Sequence, residues 1–103
     1  MVITLGYFGE QVRDFLLLAY PNRKFTFITI DKYDGEGSSL GYSLLQTKHK
    51  LQCPFIFHAS DTIVSDEIKS PNHNWLGVCK KENHSQYRTV GMDGHFKIYD
   101  KGE

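Results

Sequence analysis

The chain alternates between stretches whose apolar residues run continuously and stretches where they recur at helical spacing. "VITLGY" (2–7) is apolar almost from the first residue and predicts a short strand ended by Gly6. From Gly9 to Tyr20 the apolar positions Val12, Phe15, Leu16 and Ala19 recur at steps of three and four, the signature of an amphipathic helix. "YPN" stops it, because Pro21 disfavours a helical residue before it. "KFTFITI" (24–30) is rich in β-branched and aromatic residues and predicts a second strand. "DKYDGEGSS" (31–39) is polar and glycine-bearing, hence a loop. Ser38 or Ser39 is placed to cap a second helix, through Leu40, Leu44, Leu45 and Lys48 to about Leu51. "CPFIFHAS" (53–60) predicts a third strand, with Pro54 near its start, where proline is tolerated.

Strand, helix, strand, helix, strand implies two right-handed crossovers and an α/β fold, a Rossmann-like, mostly parallel sheet flanked by helices. The second and third strands are apolar throughout, as expected of a sheet covered on both faces. The second half changes style. "NWLGVCKK" (74–81), "QYRTVG" (86–91) and "HFKIYD" (95–100) read as short strands without intervening helices, and "MDG" (92–94) is a turn signal between the last two. The expected organisation is therefore a single domain over 1–103, with a βαβαβ core in 1–64 and an antiparallel extension in 65–103.

Length and charge narrow the function classes. A chain of 103 residues suits one domain with a thin margin for a core. Twelve Lys and Arg balance twelve Asp and Glu, which argues against the clustered positive charge of a nucleic-acid footprint. No apolar run is long enough for a membrane span, and the N-terminus lacks the basic region and small-residue site of a signal peptide. Cys53 and Cys79 each sit in an apolar run and read as buried thiols of a cytoplasmic protein, with a disulfide as the alternative.

The predicted third strand delivers a carboxylate, Asp61, at its end. In open α/β sheets ligands bind beyond the carboxyl ends of the strands, so Asp61 and the 31–39 loop are expected on one edge. A carboxylate there can hold a hard divalent cation, which in turn holds phosphate oxygens. The alternative is a turn or helix cap, with Thr62 helping. "GEGSS" (35–39) puts small residues at a loop-to-helix junction, where a ligand can approach the backbone and free N–H groups; the alternative is an ordinary turn and cap. The five histidines show no zinc spacing with the cysteines, and only His58, three residues before Asp61, stands near a candidate site. Trp75 reads as a core or edge anchor. Asp100 and Lys101 read, on pattern alone, as part of a solvated charged tail.

Taken in order, "LGYFGEQVRDFL" (5–16), "YDGEGSSLGYSLL" (33–45), "PFIFHASDTIV" (54–64) and "DGHFKIYDKG" (93–102) resemble the interior of the sugar-phosphate nucleotidyltransferases, also called nucleoside-diphosphate-sugar pyrophosphorylases. The resemblance implies a Rossmann-like fold. It also implies the joining of a nucleoside triphosphate to a sugar 1-phosphate or similar phosphate, with Mg²⁺ and release of pyrophosphate. In that family Gly37, Ser38 and Ser39 match the turn against the nucleotide base, and Asp61 matches the Mg²⁺-binding aspartate. Asp100 and Lys101 match a Glu-Lys pair that reaches the sugar and its phosphate. Ser60 stands where the family usually has Gly, and Asp100 is a shorter arm than Glu.

The resemblance begins after the family's first strand and its Gly-rich, Arg-bearing phosphate loop, and stops before a second metal-binding aspartate. The expectation is thus an incomplete nucleotidyltransferase domain, catalytically poor on its own. An unpaired sheet edge would invite self-association. Two rivals stand beside this expectation. One is a non-catalytic binding or assembly module that retains the fold. The other is a phosphatase with an aspartate nucleophile, which wants a second Asp two residues after the first, where Ile63 stands.

Overall fold

The structure, a computed structural model, describes residues 1–83, 85–91 and 97–99. The chain divides into two compact units, Met1–Asp66 and Glu67–Glu103.

The first unit is built on a parallel pair. Strand β1 (Val2–Leu5) runs beside β2 (Thr26–Thr29) in the register Val2 to Thr26 through Leu5 to Thr29. The pairing is extended at both ends: Thr26 N–H donates to the Met1 carbonyl at 2.9 Å and Ile30 N–H to the Leu5 carbonyl at 2.8 Å. Helix α1 (Gly9–Ala19) makes the crossover and packs along β1. It stops at the tyrosine before Pro21, where a turn closes with Arg23 N–H on the Tyr20 carbonyl. Leu5 and Ile30 are the buried hydrophobic residues among those described, and both lie at the carboxyl end of the pair. Leu16 is half-buried, while Phe15, expected on the apolar face, is exposed, as is Leu18.

The second helix is shorter than its periodicity predicts. Helix α2 covers Leu40–Gln46 and gives way at Thr47 to a 3₁₀ turn, Lys48–Lys50. Thr47 is the reason. Its hydroxyl donates to the Leu44 carbonyl at 2.6 Å, and its own N–H bonds the same carbonyl at 3.0 Å, tightening the turn from an i−4 to an i−3 pattern. The Thr47 side chain is fully buried with its hydroxyl satisfied.

The predicted third strand is not formed. Residues 52–58 pair with no strand among the described residues, and Phe55, Ile56 and Phe57 are more than 40% exposed. Strand propensity describes how a side chain suits a pleated surface, but a strand exists only where a neighbour's backbone completes the ladder. The parallel sheet accordingly has two strands rather than three. Cys53 and Cys79 are free and exposed, correcting the expectation of burial; with no ladder over 52–58, the apolar run around Cys53 has no sheet to bury it.

In the second unit, β3 (Thr89–Val90) pairs antiparallel with β4 (Ile98–Tyr99), within the two segments expected to form such a pair. Gly91 N–H continues the ladder onto the Lys97 carbonyl at 2.9 Å. The predicted turn at 92–94 lies outside the described residues, and 74–81 forms no strand. Trp75 is half-buried and anchors a local turn, its indole N–H donating to the Ser70 carbonyl at 3.1 Å. Among the described residues no helix is long and apolar enough to cross a membrane.

Gly6 marks the tightest approach. A Cβ there would lie 2.8 Å from Tyr33 Cβ and 2.9 Å from Tyr33 Cγ, atoms too near the backbone to swing aside. Gly6→Ala is expected to destabilise the chain by about 1–3 kcal/mol, as overpacking does, measured as a lowered urea midpoint at unchanged slope.

Candidate functional site

Because β1 and β2 are parallel, their carboxyl ends open onto one edge, and the loops that follow them meet there. After β1 the chain turns at once into α1. Gly9 N–H bonds the Gly6 carbonyl at 2.9 Å, and Phe8 holds a left-handed conformation, φ 54°, unusual for a bulky residue. After β2 comes the 31–39 loop, and the contact of Tyr33 with Gly6 brings the two loops together.

The loop is ordered by its own polar groups. Asp31 Oδ1 accepts from Lys32 N–H at 2.8 Å, and Asp34 Oδ1 from Gly35 N–H at 2.8 Å. Gly35 and Gly37 take φ of 77° and 84°, which side-chain-bearing residues seldom adopt. The bend is closed by the Ser38 hydroxyl, which donates to the Gly35 carbonyl at 2.6 Å, and by Ser38 N–H on the same oxygen at 3.2 Å. Ser39, in extended conformation, caps α2 by accepting from Tyr42 N–H at 2.9 Å. Tyr42 then reaches back across the loop, its hydroxyl donating to Asp31 Oδ1 at 2.6 Å, with Lys32 Nζ 5.9 Å from the centre of its ring.

This pair shifts both titrations. The Tyr42 hydroxyl, and after it the Lys32 N–H, hold the Asp31 carboxyl below the usual carboxylate range. The bond to ionised Asp31 pushes the Tyr42 hydroxyl up. Asp31 therefore favours the folded state above its ordinary value and loses that contribution as pH falls through its folded value. Tyr42 behaves oppositely, losing its contribution as pH rises through its raised value.

Gly37, Ser38 and Ser39 thus lie together in one bend at the carboxyl edge of the sheet. Asp61 follows in the same unit, in the segment after α2. Strand order does not bring it to that edge, since the segment before it is not a strand. Asp61 is exposed in a turn closed by Thr62 N–H on the Ala59 carbonyl at 3.2 Å, and its Oδ1 accepts from the Thr62 hydroxyl at 3.4 Å. No hydrogen bond among the described residues joins it to the 31–39 loop. His58 is exposed. Asp100 and Lys101 lie outside the described residues. Among the described residues no group of three or more His, Cys, Asp and Glu is gathered as a metal cage. A lone exposed carboxylate such as Asp61 can give a divalent cation one ligand, and Mg²⁺ is the ion that usually takes only one or two protein carboxylates.

Sequence reasoning passed over Asp31, Tyr33 and Tyr42. Tyr33 is a lone aromatic in a polar loop whose partner, Gly6, is remote in sequence. The pairing of Asp31 with Tyr42 spans eleven positions and carries no periodic signal. Family models, curated proteins and solved structures were compared with the chain, and none matches it.

Two outcomes are expected here. Ser39→Ala, which removes the α2 cap, should lower stability by about 0.5–2 kcal/mol, read by chemical denaturation. In an NMR pH titration the Asp31 carboxyl should titrate below the ordinary carboxylate range and move upward in Tyr42→Phe; an unchanged midpoint would show that the bond does not form in solution.

Proposed function

We propose that the chain is a nucleotidyltransferase-like domain of Rossmann type, taking a nucleoside triphosphate and a sugar 1-phosphate or similar phosphate. The observation that carries this reading is the bare backbone of the 35–39 bend. A Cβ placed on Gly35 would meet nothing within 4 Å, and one on Gly37 would meet only Lys32 Cδ at 3.7 Å. A flat ring can therefore approach the bend, at the strand end where such folds take their ligands. The reading draws its remaining support from the order of motifs in the sequence.

In this reading Gly37, Ser38 and Ser39 lie against the nucleotide base, Asp61 holds Mg²⁺, Asp100 orients the sugar and Lys101 offers positive charge to its phosphate. When bound, Mg²⁺ would supply charge neutralisation on phosphate oxygens. Positioning and charge are the main requirements of such a transfer, so these roles need side chains aimed at phosphate oxygens and no covalent intermediate.

Isothermal titration of the 103-residue chain with each common nucleoside triphosphate in Mg²⁺ buffer tests the reading. Binding of at least one triphosphate is expected, weakened at least tenfold in Asp61→Ala. Absence of binding for every triphosphate, or full binding in Asp61→Ala, would remove nucleotide handling or the metal role respectively.

A second reading, a binding or assembly module that retains the fold without the chemistry, is favoured by uncovered apolar surface. An open groove of about 270 Å³ is lined by Gly41, Leu44, Leu45, Lys48, Leu51 and Phe55. Strand β1 pairs with β2 on one side, and its other edge has no strand partner among the described residues. Such an edge is a template for another strand, so self-association through it is the expected behaviour. Sedimentation velocity should show weight-average mass rising with concentration, and only monomer across a hundredfold range would count against it.

A further inference from the structure

We propose that the hydrogen bond from the Tyr42 hydroxyl to Asp31 Oδ1 is a latch that pre-organises the 35–39 bend for a nucleotide base, making Asp31 and Tyr42 positioning residues for nucleotide uptake. The inference rests on the nucleotide reading of the bend and adds to it the device that holds the bend open and still.

A bend made from two left-handed glycines is accessible, but its glycines also have the most conformational freedom to lose on binding. Affinity at such a place depends on how much of that loss is met before the ligand arrives. Most of the restraints in the loop are short. Asp34 to Gly35, Ser38 to Gly35 and Ser39 to Tyr42 N–H each span three residues or fewer. They shape individual turns and leave the two ends of the loop free to separate. The Tyr42 bond spans eleven residues, from the first position after buried Ile30 to the first turn of α2. It closes the loop as a unit without covering the glycine faces of the bend. The acceptor is a carboxylate at 2.6 Å, and hydrogen bonds to ionised acceptors are the stronger kind. Tyr33 against Gly6 fixes the loop near its start, so the latch at Tyr42 is the complementary restraint at its far end.

The expected pattern differs from that of a stability mutant. Tyr42→Phe keeps the ring and removes only the hydroxyl. It should weaken triphosphate binding by about three- to tenfold, the scale of one hydrogen bond, and speed amide exchange at residues 35–39 while leaving exchange in β1 and β2 unchanged. Asp31→Ala should do the same, and the double variant should be no worse than either single one. Asp31→Asn keeps an oxygen that can accept from Tyr42 and should restore most of the affinity.

The experiment is calorimetric titration of the full chain and these four variants with each triphosphate in Mg²⁺ buffer, alongside exchange measurements. Wild-type affinity in Tyr42→Phe and Asp31→Ala would overturn the latch and leave the nucleotide reading standing. So would an affinity loss matched by faster exchange throughout the sheet. No triphosphate binding by the wild-type chain would overturn the nucleotide reading, and the latch's role in uptake with it.

Discussion

The first unit depends on one backbone ladder. Between β1 and β2 the parallel bonds run from the Met1 carbonyl to the Leu5 carbonyl, and burial of Leu5 and Ile30 secures its carboxyl end. The candidate bend hangs from that end. The turn that launches α1, the left-handed Phe8, the contact of Tyr33 on Gly6 and the glycine bend all sit within a few residues of the two buried side chains. A parallel pair has this consequence by geometry: it puts both exits on one side, so two loops must share a single edge. Where the two loops meet, the shared edge demands a missing side chain at Gly6, beside the left-handed turn at Phe8.

Local signals carried well into the structure. The spacing of Val12, Phe15, Leu16 and Ala19 marked α1, although Val12 and Phe15 are exposed, and Pro21 marked its end to within a residue. A serine before an apolar run marked the cap of α2, and Ser39 fills it. The β-branched run around Phe27 marked β2. These features share a cause, since each is decided by residues within one turn or one strand of each other. The unsuccessful expectations share the opposite cause. A third strand at 53–60 needs a partner backbone, which propensity cannot supply; the early end of α2 is set by how one threonine hydroxyl and N–H share a single carbonyl. Burial of Cys53 and Cys79 failed because apolar neighbours in sequence were mistaken for apolar neighbours in space.

The candidate site divides along the same line. Gly37, Ser38 and Ser39 were legible as a bend because turn chemistry is local. The groups that hold the bend in place were not, since Asp31 with Tyr42 and Tyr33 with Gly6 are encounters between residues far apart along the chain. Asp61 is the instructive case. Its candidacy as an edge carboxylate came from a strand that the structure does not form, while its chemistry, an open carboxylate beside a hydroxyl, is unchanged by that loss.

The relation between bend and carboxylate is where the energetics of the proposed function must lie. In the proposed function, a bend held by its own hydrogen bonds and by the Tyr42–Asp31 bond would receive a planar base with little rearrangement, so its part in binding would be met before the ligand arrives. An exposed carboxylate in a short turn is different. It is well hydrated and gains little from meeting a cation alone, because the solvation it surrenders offsets most of the attraction. In the proposed function it would gain much more from a cation already carried on a polyphosphate, partly neutralised and tethered to a base held at the bend. For the proposed function, Asp61 would have to stand within one nucleotide's length of the bend, and that length would set the effective concentration of the cation. On the proposed function the bend would act first and the carboxylate second. Changes to Asp31 or Tyr42 would be felt at Asp61 through occupancy, without any movement of protein between them.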